Sequence, residues 1–245
     1  GLEDAYTGKA MGVFAQETAN KYGMSREHLD AFAMESLTRA KNAIKKGYFK
    51  EEIVPVTVKS RKGEVVVDTD EQPGKGKIES IPTLRPAFAK DGTITAATSS
   101  SISDGAASLL LMKESEAQAR GLTPLVRIRS HASSARHPSE FTIAPIDAIK
   151  RCVDGAGWTL ADVDLFEINE AFGMVTQLAM QELDLDHAKV NVNGGACALG
   201  HPIGCTGARI IVTLIYALKR LNKQKGIASL CIGGGEATAI AIEIV

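Results

Sequence analysis

The sequence lacks the features that mark several common classes of protein. Its 245 residues carry a formal net charge of -1 at pH 7, so the chain as a whole has no excess of charge to attract nucleic acid. No apolar run approaches the length that a membrane-spanning helix needs. We therefore expect no nucleic-acid partner and no membrane partner, and any anion site must be local.

Cysteine is scarce and shows no pairing pattern. The four cysteines form no C-x-x-C pair and no disulfide framework, which favours a reducing compartment, and we expect a cytoplasmic protein. Cys152 and Cys197 are predicted to be packing residues. The spacing of Cys197, His201 and Cys205 invites a zinc interpretation, but the glycines and the proline around His201 break the helix that would align them. We predict no metal site.

Nucleotide-binding motifs are missing as well. Gly155-Ala156-Gly157 lacks the third glycine of a dinucleotide fingerprint and ends a predicted helix. No G-x-x-x-x-G-K-[ST] segment occurs. The chain begins at Gly1 with neither an initiator methionine nor a secretory signal, which predicts that a preceding segment has been removed or is missing.

Regularly spaced apolar residues are present and predict a succession of helices and strands. Two helices are predicted from Met11 to Gly23 and from Ser25 to Gly47, followed by an irregular excursion at 53–90 and a helical stretch at 114–120. The order that follows is β-α-β-α-β-α-β-β, with strands at 125–132, 165–169, 189–193, 227–232 and 238–245, and helices at 145–156, 170–183 and around Ile211 to Leu221. Such alternation is typical of an α/β fold with a mixed, mostly parallel sheet, whose ligands bind beyond the carboxyl ends of the strands.

Three segments at these strand ends carry reactive side chains. They are Asn169-Glu170-Ala171-Phe172, Asn191-Val192-Asn193-Gly194-Gly195 leading to Gly200-His201-Pro202-Ile203-Gly204, and Cys231-Ile232-Gly233-Gly234-Gly235. An amide, an imidazole and a thiol, with glycines that let N–H groups approach an oxyanion, suit thioester chemistry. Taken alone, a cysteine at a strand end is more often a packing residue. His201 stands between a glycine and a proline that restrict its backbone, and its ordinary pKa suits proton transfer.

Taken together, these segments and the run Gly200-His201-Pro202-Ile203-Gly204-Cys205-Thr206-Gly207-Ala208-Arg209 resemble the C-terminal active-site motifs of the thiolase family. Further upstream, Arg85-Pro86-Ala87-Phe88, Asp91-Gly92-Thr93-Ile94-Thr95 and Asp104-Gly105-Ala106-Ala107 resemble the end of the family's coenzyme A binding loop domain, and Asp4-Ala5-Tyr6 with Met11-Gly12 resembles its beginning.

The resemblance implies a layered fold made of two similar β-α-β-α-β-α-β-β halves, with a loop domain inserted in the first half. Residues 1–102 would form the loop domain, 103–123 the final strand and helix of the N-terminal half, and 124–245 the whole C-terminal half. No segment of the chain resembles the motif of the cysteine that accepts the acyl group in thiolases.

The same resemblance implies a catalytic role for four residues. His201 would activate the acyl-accepting thiol, and Cys231 would move the α-proton of acetyl coenzyme A. Asn169 would position a water that forms one oxyanion hole with His201, and the backbone N–H of Gly233 would contribute to the other. Phe172 would line the pocket.

Substrate binding is also implied by the resemblance. Met11, Phe88, Ala96 and Ser100 match positions near the pantetheine and adenine of coenzyme A, and the alternative for each is loop packing or turn formation. We expect acetyl coenzyme A and 3-ketoacyl coenzyme A as substrates, no cofactor apart from these thioesters, and a homodimer or homotetramer.

Two other functions stay open at this point. Without the acyl-accepting cysteine, the chain could be an inactive coenzyme A binding or assembly fragment. Condensing enzymes that build fatty acids or polyketides are the third alternative, but they typically use two histidines, or a histidine and an asparagine, and the thiol of Cys231 argues against them.

Overall fold

A computed structural model describes residues 2–245. Near the N-terminus two helices lie where the apolar spacing predicts them, α1 (Met11–Lys21) and α2 (Arg26–Lys45). Ser25 caps α2, because its side chain accepts a hydrogen bond from the backbone N–H of His28 at 3.2 Å. Both helices turn their apolar residues inward.

The excursion after α2 is partly ordered. It contains a hairpin of β1 (Val56–Ser60) and β2 (Gly63–Val67), whose residues are all exposed, and a short helix α3 (Gln72–Lys75). A 3-10 turn at Ile78–Thr83 follows. The hairpin is the one regular sheet in a stretch predicted to be irregular.

The second part of the chain is built on a four-stranded sheet with the spatial order β3-β6-β5-β4. Its elements are α4 (Glu114–Ala119), β3 (Val126–Ala135), α5 (Ala144–Gly155), β4 (Leu165–Ile168), α6 (Gly173–Leu183), α7 (Ala196–Leu199), α8 (Thr206–Leu221), β5 (Lys225–Ile232) and β6 (Glu236–Ile244). Apart from the predicted strand at 189–193, this agrees with the predicted alternation of strands and helices.

The prediction of a mostly parallel sheet is wrong. Only β4 and β5 pair in parallel, whereas β6 is antiparallel to both β5 and β3. The turn at Gly233–Gly235 is the reason, because a connection this short can only join antiparallel strands.

Two predicted strands do not form within residues 2–245. At 189–193 there is a 3-10 turn over His187–Lys189 and a single parallel bridge between Phe166 and Val190. Residues 103–113 form no strand, although α4 lies where a helix was expected. A strand needs a neighbour with which to exchange backbone hydrogen bonds, and apolar spacing alone does not supply one. The proposed domain boundaries stay a prediction.

The sheet is covered on both faces. Phe166, Ile227 and Ala241 join α1, α5 and α6 in one apolar cluster, whereas their chain neighbours Leu165, Ala228 and Ile242 join α8 in another. Successive side chains of a strand point to opposite faces, so α8 lies on the face opposite α5. None of the helices within residues 2–245 is long and apolar enough to cross a membrane.

Candidate active site

Asn169 and Cys231 lie at the same end of the sheet, where β4 and β5 have their carboxyl ends. Ile168 pairs with Ser229 in the parallel ladder of β4 and β5, and the backbone N–H of Asn169 donates to the Ser229 carbonyl at 2.9 Å. Cys231 follows Ser229 by two residues, near the carboxyl end of β5. The structure therefore brings these two side chains to neighbouring strand ends, as the sequence predicts.

His201 is tied to the same region through the segment 98–102. Its backbone N–H donates to the Ser101 carbonyl at 3.0 Å. The backbone N–H of Ser100, one residue earlier, donates to the Ala171 carbonyl at 3.1 Å, and its hydroxyl donates to the same oxygen at 2.9 Å. A single segment thus connects the imidazole loop to the loop that begins with Asn169.

Gly200 makes the close approach of this segment achievable. Its φ of +93° lies in a region that L-residues rarely adopt, and a Cβ at this position would lie 2.2 Å from the hydroxyl of Ser103. Any side chain would collide with Ser103 and push the imidazole loop away from the end of this segment.

Three of the predicted lining residues share one apolar cluster with the Cys231 thiol. Met11 and Phe172 are buried in it and Phe88 packs against it. The rings of Phe88 and Phe172 lie edge to face with centroids 5.9 Å apart. Residues that the sequence places far apart therefore belong to the same apolar core as the thiol.

Ala96 and Gly233 are the two candidates that lie on the surface, outside this cluster. Both are exposed, Ala96 on a surface loop and Gly233 in the turn between β5 and β6. Nothing in their positions assigns a role, so the functions of both stay predictions.

Burial controls the protonation of the thiol. Cys231 is 6% exposed, and desolvation raises its pKa to about 12. The sulfur is therefore a neutral thiol at neutral pH, the form that can give up a proton to a carbanion.

The surroundings of the His201 imidazole favour its neutral form. Burial lowers the pKa of His201, and the positive charge of Arg209 lowers it further. The ring is therefore neutral at neutral pH and keeps a lone pair for a proton.

The amide of Asn169 is the third notable group. It is 1% exposed, and neither its Oδ1 nor its Nδ2 has a hydrogen-bond partner within residues 2–245. An unpaired buried amide is costly, and such a group calls for an explanation beyond packing.

Comparison with known proteins decides the family. Residues 1–115 match the family model described as thiolase, N-terminal domain, and residues 122–244 match thiolase, C-terminal domain. The chain belongs to the thiolase family. Its curated thiolase relatives include the acetyl-CoA acetyltransferases of Pseudomonas aeruginosa and Allochromatium vinosum, 48% and 47% identical over 99% of this chain. The chain spans 62% of the length of each.

Solved thiolase structures share the fold closely. Acetyl-CoA acetyltransferase of Bacillus anthracis superposes with a TM-score of 0.96 at 46% identity, covering all of this chain and 62% of the other. A thiolase of Ascaris suum in complex with coenzyme A gives 0.90 at 41% identity, with 100% and 63% covered. Human mitochondrial 3-ketoacyl-CoA thiolase gives 0.91 at 36% identity, with 100% and 62% covered. The predicted thiolase-like fold is confirmed.

Glu170 is the centre of a buried network that local sequence patterns did not predict. Its carboxylate accepts hydrogen bonds from the hydroxyl of Ser36 at 2.8 Å, the amide of Asn191 at 2.8 Å and the backbone N–H of Cys197 at 3.0 Å. Gly195 packs directly against the carboxylate, since a Cβ there would lie 2.2 Å from it. Glu170 therefore joins α2 to the loop that leads to His201. One feature of the sequence could have indicated Glu170, since it is a charged residue between two uncharged ones at the end of a buried strand.

A second buried carboxylate makes stability depend on pH. Glu167 is 2% exposed, and burial raises its pKa to about 8. Arg209 opposes this shift, but its Nη1 lies 3.9 Å from the carboxylate and makes no hydrogen bond to it within the described chain. We expect burial to prevail.

We predict that the free energy of unfolding falls as pH rises from about 4.5 to about 8. Over that window the native state holds a proton on Glu167 that the unfolded chain has released, and the proton is lost as pH passes the native pKa. Glu167→Gln stays neutral at every pH, so its urea midpoint should change less between about pH 5.5 and about pH 8. Part of the dependence should remain, because burial also raises the pKa of Glu52, to about 7.

Glu182→Gln is the matched control, since Glu182 is exposed on α6. It should show the same pH dependence as the unmodified chain. If Glu167→Gln also keeps the pH dependence of the unmodified chain, the Glu167 carboxylate is ionised in the native state and the assignment of a raised pKa to it is wrong.

Proposed function

We propose that this chain is the part of an acetyl-CoA C-acyltransferase that moves the α-proton, in the reversible Claisen condensation and thiolysis of acetyl-CoA and 3-ketoacyl-CoA. The observation that carries the proposal is the placement of Asn169 and Cys231. An unpartnered buried amide and a buried neutral thiol stand at the ends of neighbouring parallel strands. The acyl-accepting cysteine would lie in a segment outside residues 1–245.

In thiolysis the Cys231 thiol would protonate the enolate of the departing acetyl group. The S–H bond breaks and a C–H bond forms, so the raised pKa supports this direction because the proton is already on sulfur. In condensation a Cys231 thiolate would take the α-proton of acetyl-CoA. Bound substrate must then supply the charge stabilisation that the buried sulfur lacks.

The oxygen of the enolate needs donors that are already in place. A water held by the Asn169 amide, together with His201, would form one oxyanion hole, and the backbone N–H of Gly233 would contribute to the other. Each such donor is worth about 3 kcal/mol of barrier. The unpaired state of the Asn169 amide supports this role, because binding a water would satisfy it.

His201 would take the proton of the acyl-accepting thiol. The burial that lowers its pKa supports this role by keeping the imidazole neutral and ready to accept. The thiolate left on the acyl-accepting cysteine would then attack the carbonyl carbon of the thioester. The bond from that carbon to the sulfur of coenzyme A would break, and coenzyme A would leave as the thiol after taking the proton back from His201.

The thioester substrates would be bound by Met11, Phe88, Phe172, Ala96 and Ser100. The apolar cluster that the first three share with Cys231, and the contact between the rings of Phe88 and Phe172, support an apolar channel for pantetheine. The Ascaris suum thiolase was solved with coenzyme A, which supports the same ligand here. We propose no cofactor apart from the thioester, a homodimer or homotetramer, a cytoplasmic location and a place in lipid metabolism.

An inactive coenzyme A binding or assembly fragment is the second candidate. The observation that favours it is that no segment of residues 1–245 resembles the motif of the acyl-accepting cysteine.

We predict that residues 1–245 alone do not turn over acetoacetyl-CoA, whereas the chain joined to the acyl-accepting segment does. Coenzyme A release or consumption of the 3-ketoacyl thioester, followed spectroscopically, measures both. Turnover by residues 1–245 alone would show that one of its own cysteines accepts the acyl group. No turnover by the joined form, with coenzyme A binding retained, would favour the binding fragment.

A further inference from the structure

The glycine turn Gly233–Gly235, which joins β5 to β6, lies directly against the residues that follow β3. A Cβ on Gly235 would come within 2.3 Å of the Arg136 carbonyl oxygen and 2.8 Å of the His137 carbonyl oxygen, so the two backbones are in contact. The backbone N–H of Arg136 also donates to the Gly235 carbonyl at 2.8 Å. The position of the glycine turn is therefore tied to the position of Arg136.

This contact lies at the end of the sheet that carries the candidate site. Both β3 and β5 are antiparallel to β6, so they run in the same direction and their carboxyl ends lie together. Within residues 2–245 the N–H of Gly233 donates no hydrogen bond to the rest of the chain. It is free to bind an oxyanion, as the proposed function requires, if the glycine turn holds it in place.

The side chain of Arg136 is fixed by Asp147 on α5. Nε of Arg136 donates to Oδ2 at 2.6 Å and Nη2 donates to Oδ1 at 3.0 Å, and two parallel bonds define both the distance and the orientation of the pair. Asp147 lies in the first turn of α5, where the helix dipole favours a negative charge, and the hydrogen bonds from Arg136 lower its pKa. Both groups are therefore charged at neutral pH.

Geometry and burial separate this ion pair from an ordinary surface pair. Only 32% of the Arg136 side chain and 30% of the Asp147 side chain are exposed, and bidentate pairs are the exception to the weakness of surface ion pairs. Two other hydrogen bonds join β3 to α5, from the Ser134 hydroxyl and from the Arg151 guanidinium, but both involve residues before Ala135. The ion pair extends this attachment to the residue that contacts the glycine turn.

We propose that Arg136 and Asp147 are positioning residues, which hold the glycine turn through the backbone of Arg136 and so fix the N–H of Gly233 as an oxyanion donor. Neither residue takes part in the proton transfers, and both act through the glycine turn. The inference rests on the proposed function for its catalytic meaning, although the order of the glycine turn can be measured without any turnover.

The first test measures the backbone order of the glycine turn in residues 1–245 labelled with ¹⁵N and ¹³C. In the unmodified chain the ¹⁵N order parameters of Gly233 and Gly235 should be about 0.85, the value of rigid backbone. In Asp147→Ala and in Arg136→Ala they should fall toward about 0.6, below which backbone is flexible. Arg136→Lys keeps the charge but cannot make two parallel bonds, so its values should lie between these two.

Arg127→Ala is the matched control. Arg127 also lies on β3 and forms an ion pair, with Glu114 at 2.6 Å, but it is near the opposite end of the strand from the glycine turn. Its removal breaks one surface ion pair and should leave the order of the glycine turn unchanged. An equal loss of order in Arg127→Ala would show that the turn responds to any weakening of the strand, and the proposal would be overturned.

Activity of the chain joined to the acyl-accepting segment gives the second readout. Loss of a whole oxyanion donor lowers kcat by about 10²–10³, so a loosened donor should lower it less, by about tenfold. KM should stay nearly unchanged, because the oxyanion forms only along the reaction path. Asp147→Ala, Arg136→Ala and the double variant should all lose about the same factor, since each of them breaks the same ion pair.

The outcomes separate this proposal from the proposed function. A flexible glycine turn in the unmodified chain overturns the positioning role, and this result needs no variant to fold. Unchanged order parameters in Asp147→Ala, or an unchanged kcat when the turn is loosened, do the same. If the turn loosens as expected but the joined, otherwise unmodified chain has no transferase activity, the proposed function fails and the role of the ion pair in ordering the turn stands.

Discussion

Cys231→Ala is expected to lower the condensation rate of the joined enzyme by about 10²–10⁴, the usual contribution of a positioned acid or base. The physical reason is that the buried thiol is the proton carrier of the α-carbon, and alanine has no proton to move. Acylation uses a different thiol and the imidazole of His201, so it should persist. Exchange of labelled coenzyme A into acetyl-CoA measures acylation separately from condensation.

Cys152→Ala is the matched control for this variant. Cys152 is also a fully buried thiol of the same apolar cluster, but it lies on α5 and its sulfur contacts the Ser130 carbonyl. Its loss should cost some stability and leave condensation within a few-fold of normal. The role of Cys231 would be refuted by equal loss of acylation and condensation in Cys231→Ala, or by a condensation rate no lower than that of Cys152→Ala.

Glu170→Gln is expected to lower the free energy of unfolding by about 2–3 kcal/mol, although the two side chains have almost the same shape. Burial raises the pKa of Glu170, but three donors oppose that shift and favour the carboxylate, two on Oε2 and one on Oε1. The NH₂ group of a glutamine must face at least one of them, so a donor is opposed by a donor in a buried site. Asn191 cannot turn its amide away, because its own oxygen accepts from the N–H of Ile168 at 2.8 Å.

Urea unfolding followed by circular dichroism measures this loss, which corresponds to a fall in Tm of about 5–10 °C for a chain of this size. Glu182→Gln on the surface of α6 makes the same chemical change without buried donors and should stay within about 0.5 kcal/mol of the unmodified chain. Equal stability of the two variants would show that the network around Glu170 contributes nothing as a carboxylate.

Ser36→Ala tests the connection between α2 and the imidazole loop. The hydroxyl of Ser36 accepts from the backbone N–H of Gly195 at 3.0 Å while it donates to Glu170. Its removal leaves both groups short of one partner. The losses of free energy of unfolding in Ser36→Ala and Glu170→Gln should therefore be less than additive in the double variant, as expected for residues of one network.

The helices and the reactive loops could be predicted from local patterns. Apolar residues at helical spacing identified α2, α5 and α8, and the rule that ligands bind at the carboxyl ends of strands pointed to Asn169 and Cys231. These features depend on residues close together in the chain. The family resemblance, carried by the motifs themselves, has been confirmed by the comparisons.

Pairing between distant segments could not be predicted in the same way. The stretch 189–193 has the composition of a strand, yet only Val190 bridges to β4, and Asn191 turns the backbone into the left-handed region at φ 47°. The antiparallel direction of β6 was likewise not predicted, although the short turn between β5 and β6 indicates it. Strand formation depends on a partner, and the partner is a property of the whole fold.

The helices and the residues available for thioester chemistry follow from the sequence alone, because each depends on spacing and composition over a few residues. Only the tertiary structure decided the protonation of Cys231, the unpaired state of the Asn169 amide, the network of Glu170 and the contact of Arg136 with the glycine turn. These properties arise from burial and from contacts between distant segments. Removing water from a group changes its pKa and its need for partners, and a linear pattern does not reveal which groups the fold will bury.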